Sequence, residues 1–255
     1  MPRPLLLLAL LAAVAVRAQP APDALVGAWR SRQVEALRGV VRVEADETLS
    51  RRLDGPRGTV RIETSGTLAL APEPRRTVTA ARVDGRAVEP ERLEALEARF
   101  GRAFGRGFSD ASRTSGLVPA PLTRGTAQRV TADAIDGRPA WRVSLTFDPH
   151  GGPARGERGG PPGRRPRGER PAGPDRAEAW FTRSADAPRL LRIDTSGRRP
   201  GGVLRRQVDF TPVGGLDVPE AATADLRVTQ RRRLRGYTTS VAVQARYSGV
   251  TVVRR

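Results

Sequence analysis

Apolar and polar residues alternate along most of this chain, and the alternation is interrupted twice by a longer period. The first interruption is "DALVGAWRSRQVEALRG" (Asp23–Gly39), which reads as a helix: Leu25, Trp29, Val34 and Leu37 recur at mixed three-to-five spacing and Gly39 is placed to close it. Two strand patterns follow, "VVRVEADETLS" and "GTVRIETSGTLAL". Val41, Val43 and Ala45 share one face of the first, and Val60, Ile62 and Thr64 one face of the second, with Asp54-Gly55 as turn chemistry between them. "RTVTAARVDGRAV" predicts a third strand ending in an Asp-Gly turn. The second interruption, "EPERLEALEARFGRAFGRG", carries Leu93, Leu96, Phe100 and Phe104 on one stripe. Its acids come early and its arginines late, as a helix dipole favours.

Beyond a Gly/Pro-spaced connection, alternation returns. In "TAQRVTADAIDGRPAWRVSLTFD" the turn is Asp136-Gly137, and Trp141, Val143, Leu145 and Phe147 share a face. Five more strand-like segments follow, from "AEAWFTRS" to "YTTSVAVQARYSGVTVV". The Arg-rich "QRRRLRG" (Gln230–Gly236) reads as the end of a hairpin. Strands run back to back with short turns and no βαβ alternation, so the expected class is mainly β and antiparallel. A sheet of about ten or eleven strands must curl, close or split. Two or three helices on the concave side of a strongly curved, open half-barrel is the economical arrangement.

Two segments fall outside this pattern. "MPRPLLLLALLAAVAVRA" has an early Arg3, 12 apolar residues from Leu5 to Val16, and Val16 and Ala18 before a cut. That is the form of a secretory signal peptide over residues 1–18, so the expected mature chain is a single domain, 19–255, in the periplasm or secreted. The other is Pro149–Arg176. Fifteen of its 28 residues are Gly or Pro and seven are Arg. Such a segment buries too little to offset ordering entropy, so a disordered loop joining two strands is expected.

Composition changes the picture in three ways. There is no Cys, hence no disulfide and no lipid-attachment site. The net charge is +18, yet all of it is Arg and the chain has no Lys or Asn, which points to GC-rich coding as part of the excess. The charge still favours an anionic envelope surface or a membrane-bound partner. Nucleic acid is not expected as a partner, because the Arg/Gly segment lacks interleaved aromatics and export removes it from reach. Third, the one histidine, His150, lies in the loop. This argues against a Ser–His–Asp triad and against a His-based metal site. No cofactor is expected, and the catalytic and metal sites are expected to be absent. Asp194, Asp209, Glu178 and Glu220 read as solvent-facing strand residues and turn flanks. A carboxylate-only hydrolase is the last alternative.

"IDGRPAWRVSLTFD", then "AWFTRSADAPRLLRIDTS", then "VDFTPVGGLDVPEAATADLRV" give an order of parts that resembles the LolA/LolB-type superfamily of periplasmic lipoprotein-sorting proteins, which includes RseB-like sensor domains. Phe210, Gly215, Leu216, Val218 and Pro219 match its "F-x-x-x-x-G-L-x-[VI]-P" element. The resemblance implies a hydrophobic cavity between sheet and helices, lipid binding, and transport of an acyl-chain ligand or lipoprotein without catalysis. The alternative it implies is an RseB-like envelope sensor or protein-binding module. The chain lacks the Cys of the anchored members, and no single Arg matches the carriers' lid-locking one. The residues expected to line the cavity are Trp29, Leu93, Leu96, Phe100, Phe104, Trp141, Val143, Leu145 and Phe147, in a monomer.

Overall fold

The computed structural model describes residues 19–56, 58–71, 75–104, 116–147, 174–184, 187–199, 202–232 and 235–255. The signal-peptide expectation and most of the expected loop lie outside the described residues. The elements are helix α1 (Pro22–Leu37), strands β1 (Val40–Gly55), β2 (Gly58–Ala71), β3 (Arg75–Val83) and β4 (Arg86–Ala87), helices α2 (Pro90–Phe104) and α3 (Ala120–Arg124), and strands β5 (Thr126–Ile135), β6 (Arg138–Thr146), β7 (Arg176–Thr182), β8 (Leu190–Arg199), β9 (Gly202–Val213), β10 (Leu216–Arg232) and β11 (Arg235–Arg254).

All eleven strands form one antiparallel sheet in the order β4-β3-β2-β1-β11-β10-β9-β8-β7-β6-β5. The expected class is therefore observed: among the described residues the protein is mainly β, with the two ends of the sheet unpaired and no closed barrel. The expected single meander becomes two. The chain enters at the middle of the sheet, runs out to β4, crosses by α2 and α3 to the far edge at β5, and returns to pair β11 with β1.

Burial alternates along most of β1, β2 and β11, so the two faces are easily told apart there, while Leu216–Pro219 at the start of β10 are buried in succession. The inner face is apolar, and one cross-strand row runs from Ala81 through Thr64, Leu49, Ala245, Ala222, Val208, Ile193, Ala179 and Val143 to Val130, buried at every position. Both long helices lie on this face. α1 packs on β5 and β10, and α2 on β3. Register shifts in six of the strand pairs, among them β1–β11, β2–β3 and β9–β10, bend the strands locally.

The buried face of α1 is Leu25, Val26, Trp29 and Gln33, whereas Val34 is half exposed. The 25–29–33 spacing follows the helical repeat, and Val34 lies off that stripe. Val41 is exposed because the β1–β11 register shifts between Val40 and Arg42. The first hairpin does not turn at Asp54-Gly55. β1 continues through both, Gly55 pairs with Gly58, and the turn begins at Pro56. The other two Asp-Gly pairs turn as expected. Asp84/Gly85 and Asp136/Gly137 all have positive φ, the two-residue hairpin geometry that Asp-Gly favours. Arg232 pairs with Arg235, so the Arg run does end the β10–β11 hairpin. The loop before β7 ends earlier than expected. Arg176 is already in the strand, and Asp175 is tied to β8 by its amide to the Ser196 carbonyl and its carboxylate to the Arg198 amide.

Candidate functional site

The inner face is the candidate site. Trp29, Leu93, Trp141, Val143 and Leu145 are buried there in one continuous core, with Phe147 partly buried against it. Trp29 and Phe181 meet at 6.2 Å between ring centroids, and Phe181 pairs with Trp141 across β6–β7. One end of the face is thus aromatic. The Arg183 guanidinium stands 5.1 Å over the Trp141 ring. Leu93 is buried and Leu96 half-buried on α2, at the β3 end of the face. The side chains of Phe100 and Phe104 lie outside the described ones.

Two polar features of this face were not anticipated. The first is Asp217, 1% exposed. Its carboxylate accepts from the Trp29 indole at 2.8 Å, the Leu190 amide at 2.9 Å, Arg189 at 3.3 Å and Arg32. Gln33 completes the junction, donating to the carbonyls of Leu117 and Asp217 while accepting the Asp217 amide. This hub pins α1 to the sheet at β8 and β10. Nothing in the period of "GGLDVP" marks Asp217 as buried.

The second feature was legible. The inward positions of β1 read Val43-Ala45-Glu47-Leu49-Arg51-Leu53, with two opposite charges on an apolar face. Both are buried. Glu47 accepts two hydrogen bonds from Arg76 of β3, and Arg51 pairs with Glu97 of α2. Burial pulls the Arg51 guanidinium below its ordinary value, with Glu97 acting against it. For Arg76, burial acts in the same direction but is outweighed by its hydrogen bonds and charge pairing with Glu47, so the net shift is upward. Tyr247 lies directly opposite Glu47 on β11 and is buried. The inner face therefore has an apolar floor over β5–β10 and an ion network over β1–β3.

The acids expected to face solvent sit on the opposite, outer face, where Glu220 is exposed. Glu178 and Asp194 are directly paired across β7–β8 and both half-buried, as is Asp209, which pairs with Arg192. Burial pushes the Asp194 carboxyl above its ordinary range; Arg192 opposes this, while Asp209 and Glu178 add to it. A satellite apolar cluster of Ile135, Ala140 and Trp180 lies apart from the main core, and the Trp180 indole donates to Asp133 at 3.1 Å. Among the described residues no group of three or more His, Cys, Asp or Glu is placed to hold a metal, and no helix is long and apolar enough to cross a membrane.

No family model matches the chain, and no curated protein matches it in sequence. Solved structures do match in fold. One is a putative outer membrane lipoprotein-sorting protein domain from Vibrio parahaemolyticus, at TM-score 0.38 and 10% identity over 89% of this chain and 91% of that one. A second is a DUF1329 family protein from Desulfovibrio piger, at TM-score 0.31 and 9% identity over 90% and 95%. A third is the MucA/MucB complex of Pseudomonas aeruginosa, at TM-score 0.22 and 12% identity over 89% and 99%. The chain is similar to these folds across most of its length. At TM-scores this low, the likeness carries no ligand, partner or activity to this chain.

Proposed function

We propose that this protein is an exported binding or carrier protein, without catalytic activity, that holds an acyl chain of a lipid or lipoprotein on the inner face of its sheet. The observation that carries the reading is the inner cross-strand row. Ten positions wide, it is apolar except for Thr64, and four of its members are alanine. Alanine fills little of the space above a sheet, so such a floor leaves volume that longer side chains or a ligand chain must occupy. The two long helices pack toward opposite ends of that floor, α1 on β5 and β10 and α2 on β3. Trp29, Trp141, Val143, Leu145 and Phe147 would form one wall, and Leu93, Leu96, Phe100 and Phe104 the other.

The test is native mass spectrometry of the protein purified from its own envelope, together with a fatty-acid probe whose fluorescence rises in apolar surroundings. A co-purifying acyl species and a probe signal are expected. Replacing Leu96 and Phe100 by Gln should remove the signal while the circular dichroism spectrum and Tm stay near wild type. A wild-type protein with neither lipid nor signal would mean that its own side chains fill the face.

An RseB-like protein-binding reading is favoured by a different observation. β4 pairs with β3 only at Arg82 and Val83. From Arg75 to Ala80 the outer edge of β3 faces no strand among the described residues, which suits strand addition by a partner. Demonstrated transfer of the acyl species between membranes would favour the carrier, and stable capture of a partner without transfer would favour the sensor.

A further inference from the structure

We infer that the outer face of the sheet holds a second site, a groove over β3, β2, β1 and β11 shaped for a singly charged, polyhydroxylated small molecule of the sugar-acid class. The site is independent of the acyl-chain reading. Register places it. Two neighbouring outer-face rows run Ala80–Ser65–Thr48–Arg246 and Arg82–Glu63–Ser50–Gln244. The groove they enclose is ≈ 500 Å³, within the span of about 300–1,000 Å³ usual for small-molecule sites. Its shape follows from side-chain length. The floor residues Thr48, Ser50, Ser65 and Ala80 stop one or two atoms past Cα, while Glu63, Arg82, Gln244 and Arg246 rise around them.

Some charges on this face are paired and others are not. Arg192 pairs with Asp209 and Asp136, Arg142 with Asp133, and Arg52 with Asp54. Among the described residues Arg82, Arg246 and Glu63 take part in no ion pair, although Glu63 lies directly opposite Arg82. A basic chain with unspent carboxylate and guanidinium groups around one hollow is suited to a ligand with both kinds of partner. Arg246 offers a planar donor fork for a carboxylate or phosphate. Glu63 accepts from hydroxyls, and Thr48, Ser50, Ser65 and the Gln244 amide donate and accept. Arg246 and Glu63 are two strand spacings and one row apart, about 12 Å between Cα atoms. Side chains stand roughly perpendicular to a sheet, so that separation leaves room for one sugar ring with a hydrogen bond on either side. No aromatic lines the groove, so stacked bases are not served, and Glu63 opposes a polyanion.

The test uses the wild-type protein and glucuronate, with glucose and inorganic phosphate as separate arms, read by backbone-amide NMR titration. Glucuronate is expected to shift the amides of Thr48, Ser65 and Arg246, with glucose and phosphate each about tenfold weaker because each lacks one half of the recognition. Arg246→Gln should weaken glucuronate about tenfold without changing the Tm or the acyl-probe signal. Glu63→Gln should narrow the gap between glucuronate and phosphate. Three results would each overturn the site: no shift at these amides, an equal response to phosphate that disappears at physiological salt, or an Arg246→Gln protein that binds like wild type. The acyl-probe arm reports separately on the inner face, so failure of one reading leaves the other standing.

Discussion

At the scale of single residues, Asp217 is the position on which most depends. Its buried carboxylate collects an indole N–H, a backbone N–H and two partly exposed arginines. Replacing it with Ala strands those donors, and a buried charge network broken from one side costs about 3–5 kcal/mol. Asp217→Ala is therefore expected to lower the urea midpoint sharply. Trp29→Phe keeps an aromatic ring but removes the donor, at about 1.5–3 kcal/mol, and leaves a small cavity where the rest of the indole stood, which adds to that loss. Asp194 is the opposite case. Its carboxyl is pushed up by burial, so the folded state holds the proton more readily than the unfolded chain does. Stability is full below the ordinary carboxylate pKa and falls as pH rises through the shifted value. Asp194→Asn should raise the Tm at neutral pH, and the gain should shrink to nothing in acid. A gain independent of pH would mean that charge is not its cause.

At the scale of elements, two positions separate what the strands require from what they tolerate. Gly66 lies where β2 and β3 shift register, and a Cβ there would fall 2.0 Å from the Thr77 carbonyl oxygen. Backbone cannot yield as a long side chain can, so Gly66→Ala should destabilise by about 1–3 kcal/mol, in line with overpacking. Hydrogen exchange should quicken first in β3, read by mass spectrometry. The segment between β6 and β7 should tolerate change. Thr146 pairs with Arg176, so the strand ends already adjoin. Replacing 149–173 with a short Gly-containing turn that retains Asp175 should leave the urea midpoint nearly unchanged, since loop closure varies by only about 0.6 kcal/mol per doubling of length. Loss of the cooperative transition would show that the segment supports the fold.

At the scale of the whole molecule, the β1–β11 pair is the seam. It joins the meander β1–β4 to the meander β5–β11 at the centre of the sheet. The C-terminal strand is therefore not an edge that can fray independently. A chain ending at Arg232 loses the centre of the sheet and leaves the edges of β1 and β10 that β11 pairs with unpaired together. It is expected to show no cooperative thermal transition, whereas an edge-strand loss would leave a lowered but sharp one.

What the sequence determined by itself was local and periodic. Alternation placed the strands, the period change at Pro90 placed α2, and Asp-Gly pairs at 84–85 and 136–137 placed two hairpins, because side-chain direction and positive φ are properties of a few consecutive residues. The inward charges Glu47 and Arg51 were equally readable, as exceptions to the alternation of β1. Tertiary structure alone decided the rest. The crossing from β4 to β5 and the closure of β11 on β1 depend on which distant edges meet, and no local pattern records that. Asp217 is buried only because α1, β8 and β10 converge on it. The outer groove exists only because Ser65, Thr48 and Arg246, nearly 200 residues apart in the chain, fall into one row of a single sheet.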